Sequence, residues 1–165
     1  MSTYALQRAE IKSQLQAVSG IGLVYDSAKN PTTEELWNSL YIAPSTKIVN
    51  VVFFNRLNMA GKPVKDEAIQ ITETYEKDNW QITLLYGFHD DPANPSEYAF
   101  NNLVDAIQNQ FRFLQDLNGQ AYSSDPLVRI TSGLFQFLGG KVLCHKAVWH
   151  FTATNEIVDQ LAETN

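Results

Sequence analysis

The chain has a single cysteine, Cys144, among 165 residues, so no intrachain disulfide can form. It has no run of about 18 apolar residues and no signal-peptide-like segment near its first residue, which disfavours a membrane partner and secretion. Basic runs are also lacking. The 12 Lys and Arg residues are outnumbered by 18 Asp and Glu, giving a formal charge of −6. Sequence-independent clamping of DNA or RNA is therefore disfavoured, and we expect a soluble protein made in a cytoplasm.

Motifs that carry chemistry are missing as well. The sequence contains no GxGxxG, GxxxxGK[ST], GxSxG, HExxH or CxxC. His145 and His150 are five residues apart on a predicted strand and so face opposite sides. The neighbours Cys144 and His145 diverge for the same reason. The cluster from His89 to Asp91 precedes a predicted helix, where turn chemistry and the helix dipole account for the acidic pair. We therefore predict no catalytic residue, no metal site and no cofactor.

The clearest positive signal is a long amphipathic helix over residues 94–117. Asn94, Pro95 and Glu97 form the pattern of an N-cap, a first-turn proline and a capping box. Asn118 and Gly119 supply a stop signal. Apolar residues recur at helical spacing between these ends, namely Phe100, Leu103, Val104, Ile107, Phe111 and Leu114. This stripe must be buried against another layer, and the strands on either side are the expected platform.

Other elements follow from periodicity and turn residues. We predict helices over 3–18 and 31–40, and strands over 23–25, 46–54, 66–77, 80–88, 127–137 and 141–154. Residues 58–65 are predicted as a polar loop and Asp78-Asn79 as a tight turn. We expect an irregularity in the strand at Ser132-Gly133. The pair Gly139-Gly140 predicts a hairpin turn. The segment from Glu156 is expected to be a turn of helix or an extended arm.

This order predicts an α+β fold in which a mostly antiparallel sheet carries the long helix and the N-terminal helix on one side. One domain over residues 1–165 is expected, with 155–165 as an extended tail or arm. The segments 46–54 and 141–154 are apolar on both faces. Such strands need either a second core layer or a subunit interface, and we favour self-association.

Three segments resemble the tail terminator (tail completion) proteins of tailed bacteriophages. They are VSGIGLVYD after the first helix, WQITLLYGFHDD with the helix SEYAFNNLVDAIQNQFR, and the closing FLGGKVLCHKAVWHF. The resemblance spans most of residues 10–152. It implies a structural virion protein that assembles as a ring, usually a hexamer. The ring would cap the head-proximal end of the tail tube, stop its polymerisation and join it to the head.

The implied partners are further copies of the chain, the tail tube protein, a sheath protein and a neck protein, with DNA passing through the lumen. Two alternatives stay open: another neck protein, such as a head-completion stopper or connector, and a small ligand-binding or enzymatic domain with a pocket at His89 and Asp90. The candidate interface residues lie in the loop, the hairpin strands and the tail. They are Asn55, Arg56, Met59, Lys62, Lys65, Glu73, Phe113, Lys146 and Glu156.

Overall fold

A computed structural model describes residues 3–44, 46–66 and 71–160; along 59–66, 71–75 and 156–160 it describes the backbone course and pairing. Six strands form one sheet in the order β1-β2-β3-β6-β4, and β5 also pairs with β6. Every strand pair is antiparallel except β1 with β2. The predicted α+β class is confirmed. The helices are α1 (Thr3–Ala17), α2 (Glu34–Tyr41) and α3 (Ser96–Phe111), and the strands are β1 (Leu23–Tyr25), β2 (Asn50–Asp66), β3 (Ile71–Gly87), β4 (Ser123–Ser124), β5 (Val128–Phe137) and β6 (Val142–Gln160).

Helices α1 and α3 pack side by side on one face of the sheet. The predicted stripe of α3 is buried from Phe100 to Phe111, and Ile11 and Leu15 of α1 join it. They pack against the alternate strand residues Phe54, Trp80, Ile82, Leu84, Ala147, Trp149 and Phe151. Burial of these side chains contributes about 1.5–3 kcal/mol each, which makes this layer the main core.

The predicted ends of α3 are wrong. The residue before the helix is Pro95, which has no side-chain capping bond, so Asn94 and Glu97 do not form a capping box. The helix ends at Phe111 rather than Leu117. Leu117 is buried at a left-handed backbone angle (φ 49°), and Gly119 follows at φ 79°. The chain turns early because the loop must insert Leu117 into the core and then reach β4.

Helix α2 covers part of the opposite face of the sheet. It begins at Glu34 rather than at residue 31, and Thr33 caps it by accepting a hydrogen bond from the Leu36 N–H. Trp37 and Tyr41 are buried against Val51 and Cys144 in a second apolar cluster. The apolar residues on both faces of these strands therefore belong, at this end of the sheet, to a second core layer. They lend no support to self-association there.

The segment VSGIGLVYD leads from α1 into β1 and passes close to the first residue of β2. A Cβ at Gly22 would lie 2.3 Å from the backbone oxygen of Asn50, so no side chain fits. The buried Asn50 amide donates to the Gly20 carbonyl at 2.9 Å and accepts from the Gly22 N–H at 3.1 Å. Asn50, the polar residue within the apolar run 48–54, thus satisfies the backbone of this glycine turn.

Strands β2, β3 and β6 are longer than the sequence predicted. They contain 17, 17 and 19 residues, whereas an average strand has about 5–6. The predicted loop at 58–65 is part of β2, and the predicted turn at Asp78-Asn79 lies inside β3. Strand β6 continues to Gln160, so the tail from Glu156 is extended up to that residue. The register shift of β5 lies between Arg129 and Thr131, not at Ser132-Gly133.

Candidate functional site

The most distinctive surface is a three-stranded part of the sheet that we call the strand extension. It comprises residues 58–66 of β2, 71–79 of β3 and 152–160 of β6, paired in register from Asn58–Asn79–Thr152 to Asp66–Ile71–Gln160. The end of the extension at the Asn58–Asn79–Thr152 row, which we call its base, lies beside the first turn of α1. There Tyr4 stacks on Trp80 at 5.5 Å between ring centroids. At about 3.3 Å per residue the extension is nearly 30 Å long.

Both outer edges of the strand extension are open over most of its length. Strand β1 pairs with β2 only at residues 51–53. Strand β4 pairs with β6 at Thr154 and Ala153, and β5 pairs with it only up to His150. Among the described residues, no strand pairs with the outer edge of β2 after Phe53 or with that of β6 after Thr154. Such edges present backbone N–H and C=O groups that favour pairing with another chain.

A buried polar cluster fixes the base of the extension to α1. Asp78 is 2% exposed and accepts from the Arg56 guanidinium at 3.0 Å and from the Asn155 amide at 3.2 Å. Asn155 in turn accepts from the Gln7 amide at 2.6 Å, and Gln7 accepts from the indole N–H of Trp80 at 3.1 Å. Because each of these buried groups has a partner, the cluster holds the strands and the helix in one geometry.

The opposite face of the base is also polar. The Asn79 amide donates to the Asn58 side-chain oxygen at 2.6 Å, and the Thr152 hydroxyl donates to Asn79 at 2.9 Å. Two rows beyond, on the same face, the Gln81 side-chain oxygen lies 3.0 Å from Nε2 of His150. Asp78 and Asn79, which the sequence predicted as a turn, are therefore adjacent strand residues whose side chains bond to partners on opposite faces.

A cleft of about 280 Å³ lies near the start of α3, lined by Phe88, His89, Asp90, Ser96, Glu97 and His145 among others. The sequence had named His89 and Asp90 for a pocket of this kind. The Ser96 hydroxyl lies 3.0 Å from Nε2 of His145. It also donates to the His89 carbonyl at 2.8 Å and accepts from the His89 N–H at 3.0 Å.

A hydroxyl has one proton, so in the arrangement where Ser96 donates to the His89 carbonyl, Nε2 of His145 is the donor to Ser96. Ser96 is also only 1% exposed. These contacts connect the start of α3 to β6. Burial lowers the pKa of His145, the nearby Glu97 raises it, and His89 lowers it again. The lowered pKa matches a neutral, structural imidazole.

The remaining reactive groups are dispersed. His145 and His150 lie on opposite faces, as the odd spacing predicted, since their partners are Ser96 and Gln81. Burial raises the pKa of the Cys144 thiol to about 12. In the part of the chain that the structure describes, no three His, Cys, Asp or Glu residues are grouped as metal ligands. Within the same residues, no helix has the length and apolar character needed to cross a membrane.

Five of the nine predicted interface residues lie in the strand extension, and Asn55 and Arg56 lie just before it on β2. Strand β2 carries Asn55, Arg56, Met59, Lys62 and Lys65, while Glu73 lies on β3 and Glu156 on β6. Arg56 also has a role within the chain, because it binds Asp78 and lies 4.1 Å from the ring centre of Tyr4.

Phe113 and Lys146 lie outside the strand extension, Lys146 in the part of β6 that pairs with β5. Phe113 follows the end of α3 and is 82% exposed, and the Lys146 ammonium lies 5.1 Å from the ring centre of Phe135. The participation of all nine residues in assembly stays a prediction.

Sequence reasoning missed a further apolar surface on β5. Val128, Ile130 and Leu134 are 57%, 54% and 51% exposed. In the described chain β5 pairs with β6 alone, so its outer edge is open as well. The available signal was the segment TSGLFQF, residues 131–137, which has no charge or proline of the kind that protects an edge strand.

Comparison with known proteins adds no relative. No protein-family model matches the chain, and no curated protein matches it at a significant level.

Proposed function

We propose that this chain is a tail terminator of a tailed bacteriophage, a structural protein that closes into a ring on the head-proximal end of the tail tube. The observation that carries the proposal is the strand extension, which has open edges on two opposite sides. Two different edges on one subunit allow head-to-tail contacts, and such contacts form a ring when the rotation closes. The sequence resemblance supplies the tail tube and the neck as the surfaces that the ring joins.

The functional groups of the molecule support a structural role. The buried Asp78, Asn155 and Gln7 bond to one another, and Ser96 and His145 fix the start of α3. In each cluster the polar atoms are used to hold elements together. A ring that caps a tube, stops its growth and connects it to the head needs shape and contact surfaces, which this arrangement provides.

Electron microscopy of the chain with tail tube protein tests the proposal. We expect sixfold rings on one end of each tube and tubes that stop growing, whereas tube protein alone continues to polymerise. Native mass spectrometry should give the mass of about six chains. A chain that stays monomeric at all concentrations and attaches to no tube would contradict the proposal. Rings found on the head side of the joint would indicate the stopper or connector role instead.

The cleft at His145 favours one different function, a ligand-binding domain. Its lining combines His89, Asp90 and Glu97 with the aromatic rings of Phe88 and Phe100. A thermal-shift screen of small molecules would favour this function if a compound stabilised the wild-type chain and lost its effect in Glu97→Ala. We rank it second because the polar atoms of Ser96 at the cleft already have partners within the chain.

A further inference from the structure

The two edges of the strand extension differ in charge. On β2, residues 58–66 include Lys62, Lys65 and a terminal Asp66. On β6, residues 155–160 include Glu156 and Asp159 and no basic residue. One edge of the extension is therefore mainly basic and the other is acidic.

The strand register places these charges on matching rows. Lys62 and Glu156 both pair with Tyr75 of the central strand, and Lys65 and Asp159 both pair with Thr72. Each row thus has a lysine at one edge of the extension and an acidic residue at the other. The two rows are three residues apart along each strand, so a neighbour aligned on one row is aligned on both.

Charge then decides which edges can meet. Pairing β2 with β2 of another copy would bring lysines together, and pairing β6 with β6 would bring carboxylates together. Like charges on adjacent strands destabilise pairing, and opposite charges contribute roughly 0.2–1 kcal/mol for each pair. Lysine and proline on an edge strand also discourage indiscriminate pairing, and β2 has Pro63 between its two lysines. A neighbour that supplies acidic residues on the same rows avoids this repulsion between like charges.

We propose that the β2 edge of the strand extension pairs with the β6 edge of the next copy, with Lys62 and Lys65 beside Glu156 and Asp159 of that neighbour. This proposal rests on the ring function above and names the contact that closes the ring. Strands β2 and β6 run in the same direction, because each is antiparallel to β3. Copies related by rotation about an axis along the strands therefore form a parallel pair with both rows matched.

This arrangement explains the length of the three strands. The new ladder would satisfy backbone groups of β2 from Gly61 to Asp66 and of β6 from Asn155 to Gln160, which lie on the same rows and which no described strand of the same chain pairs. Pro63 lacks an N–H and leaves one gap between the two charged rows. The ring would then be lined by a sheet that continues from one copy to the next.

Charge reversal on one edge, and then on both, tests the pairing. The β2-edge variant carries Lys62→Glu and Lys65→Glu, the β6-edge variant carries Glu156→Lys and Asp159→Lys, and a third variant combines all four changes. A matched control reverses Lys47 and Lys141, two exposed lysines outside the extension. Mass is measured by light scattering at equal protein concentration, and circular dichroism melts verify folding.

We expect rings from the wild-type chain, the control and the variant with all four changes. Each variant reversed at a single edge should need at least a tenfold higher protein concentration to assemble. Folded single-edge variants that assemble like the wild type would overturn the pairing and leave the ring function standing. If the variant with all four changes folds but stays monomeric, the proposed pairing is also wrong. If the wild-type chain forms no ring, alone or on tubes, both proposals fail.

Discussion

The covered part of the sheet and the strand extension are made from the same three strands but are stabilised differently. In the covered part, β2, β3 and β6 lie between α1 and α3 on one face and α2 at one end of the other. In the extension, the described structure consists of ladders among three strands, with open outer edges. Burial of apolar side chains stabilises the covered part, whereas the strand extension is held by backbone hydrogen bonds between its strands.

The junction between the two parts is polar on both faces. Asp78, Asn155 and Gln7 bond on the side of α1, and Asn58, Asn79 and Thr152 bond on the other side. Such networks specify one geometry because a misplaced partner leaves a buried polar group unsatisfied. We infer that the junction sets the direction in which the extension leaves the core; in the proposed ring, contacts between copies would stabilise the extension further.

The largest effect is expected from breaking the second core layer. Trp37→Ala removes a buried indole between α2 and the sheet and should lower the free energy of unfolding by about 3–5 kcal/mol. Leu36→Ala is the control, since Leu36 is the neighbouring helix residue and is exposed; it should cost less than about 1 kcal/mol. Urea unfolding measures both. Equal costs for the two variants would mean that α2 is not part of a core.

A smaller effect is expected at the junction. Asp78→Ala leaves the Asn155 amide and the half-buried Arg56 without their shared acceptor, which should cost about 1–3 kcal/mol. Asp105→Ala, on the exposed face of α3, should change stability by less than about 0.5 kcal/mol. Hydrogen exchange should also become faster at residues 71–79 in Asp78→Ala. Unchanged exchange there would show that the junction does not hold the extension.

Sequence periodicity predicted the covered part well for a physical reason. The stripe of α3 and the alternation from Trp80 to Tyr86 arise because each element has one apolar core to face. The sequence alone favours self-association for apolar residues on both faces, such as Val51 and Cys144, and so does not predict the second layer. The structure decides between these alternatives by placing Trp37 and Tyr41 over them.

The extension was not predictable in the same way. Gly61, Pro63, Asp78 and Asn79 are turn-forming residues, and local rules assign them to loops. Here they lie in strands, and the partners that hold Asp78 there are distant in sequence: Asn155 is 77 positions away, and it bonds to Gln7 across 148 positions. The candidate interface residues were therefore named from their place in a predicted loop, the hairpin strands and the tail. Their arrangement in rows follows only from the strand register.

The smallest effect is expected in the pH dependence of stability, which should arise from a histidine in the covered part of the sheet. Burial lowers the pKa of His145 below its ordinary value of 6.5 in the folded chain, so the unfolded chain binds more protons as the pH falls past 6.5. Stability should therefore decrease below pH 6.5, by at most about 1.4 kcal/mol per pH unit from this group. His145→Gln should flatten that slope, while His150→Gln, on the other face, should keep it. Urea unfolding between pH 5 and 8 measures the slopes, and a full wild-type slope in His145→Gln would assign the pH response to groups outside the covered core.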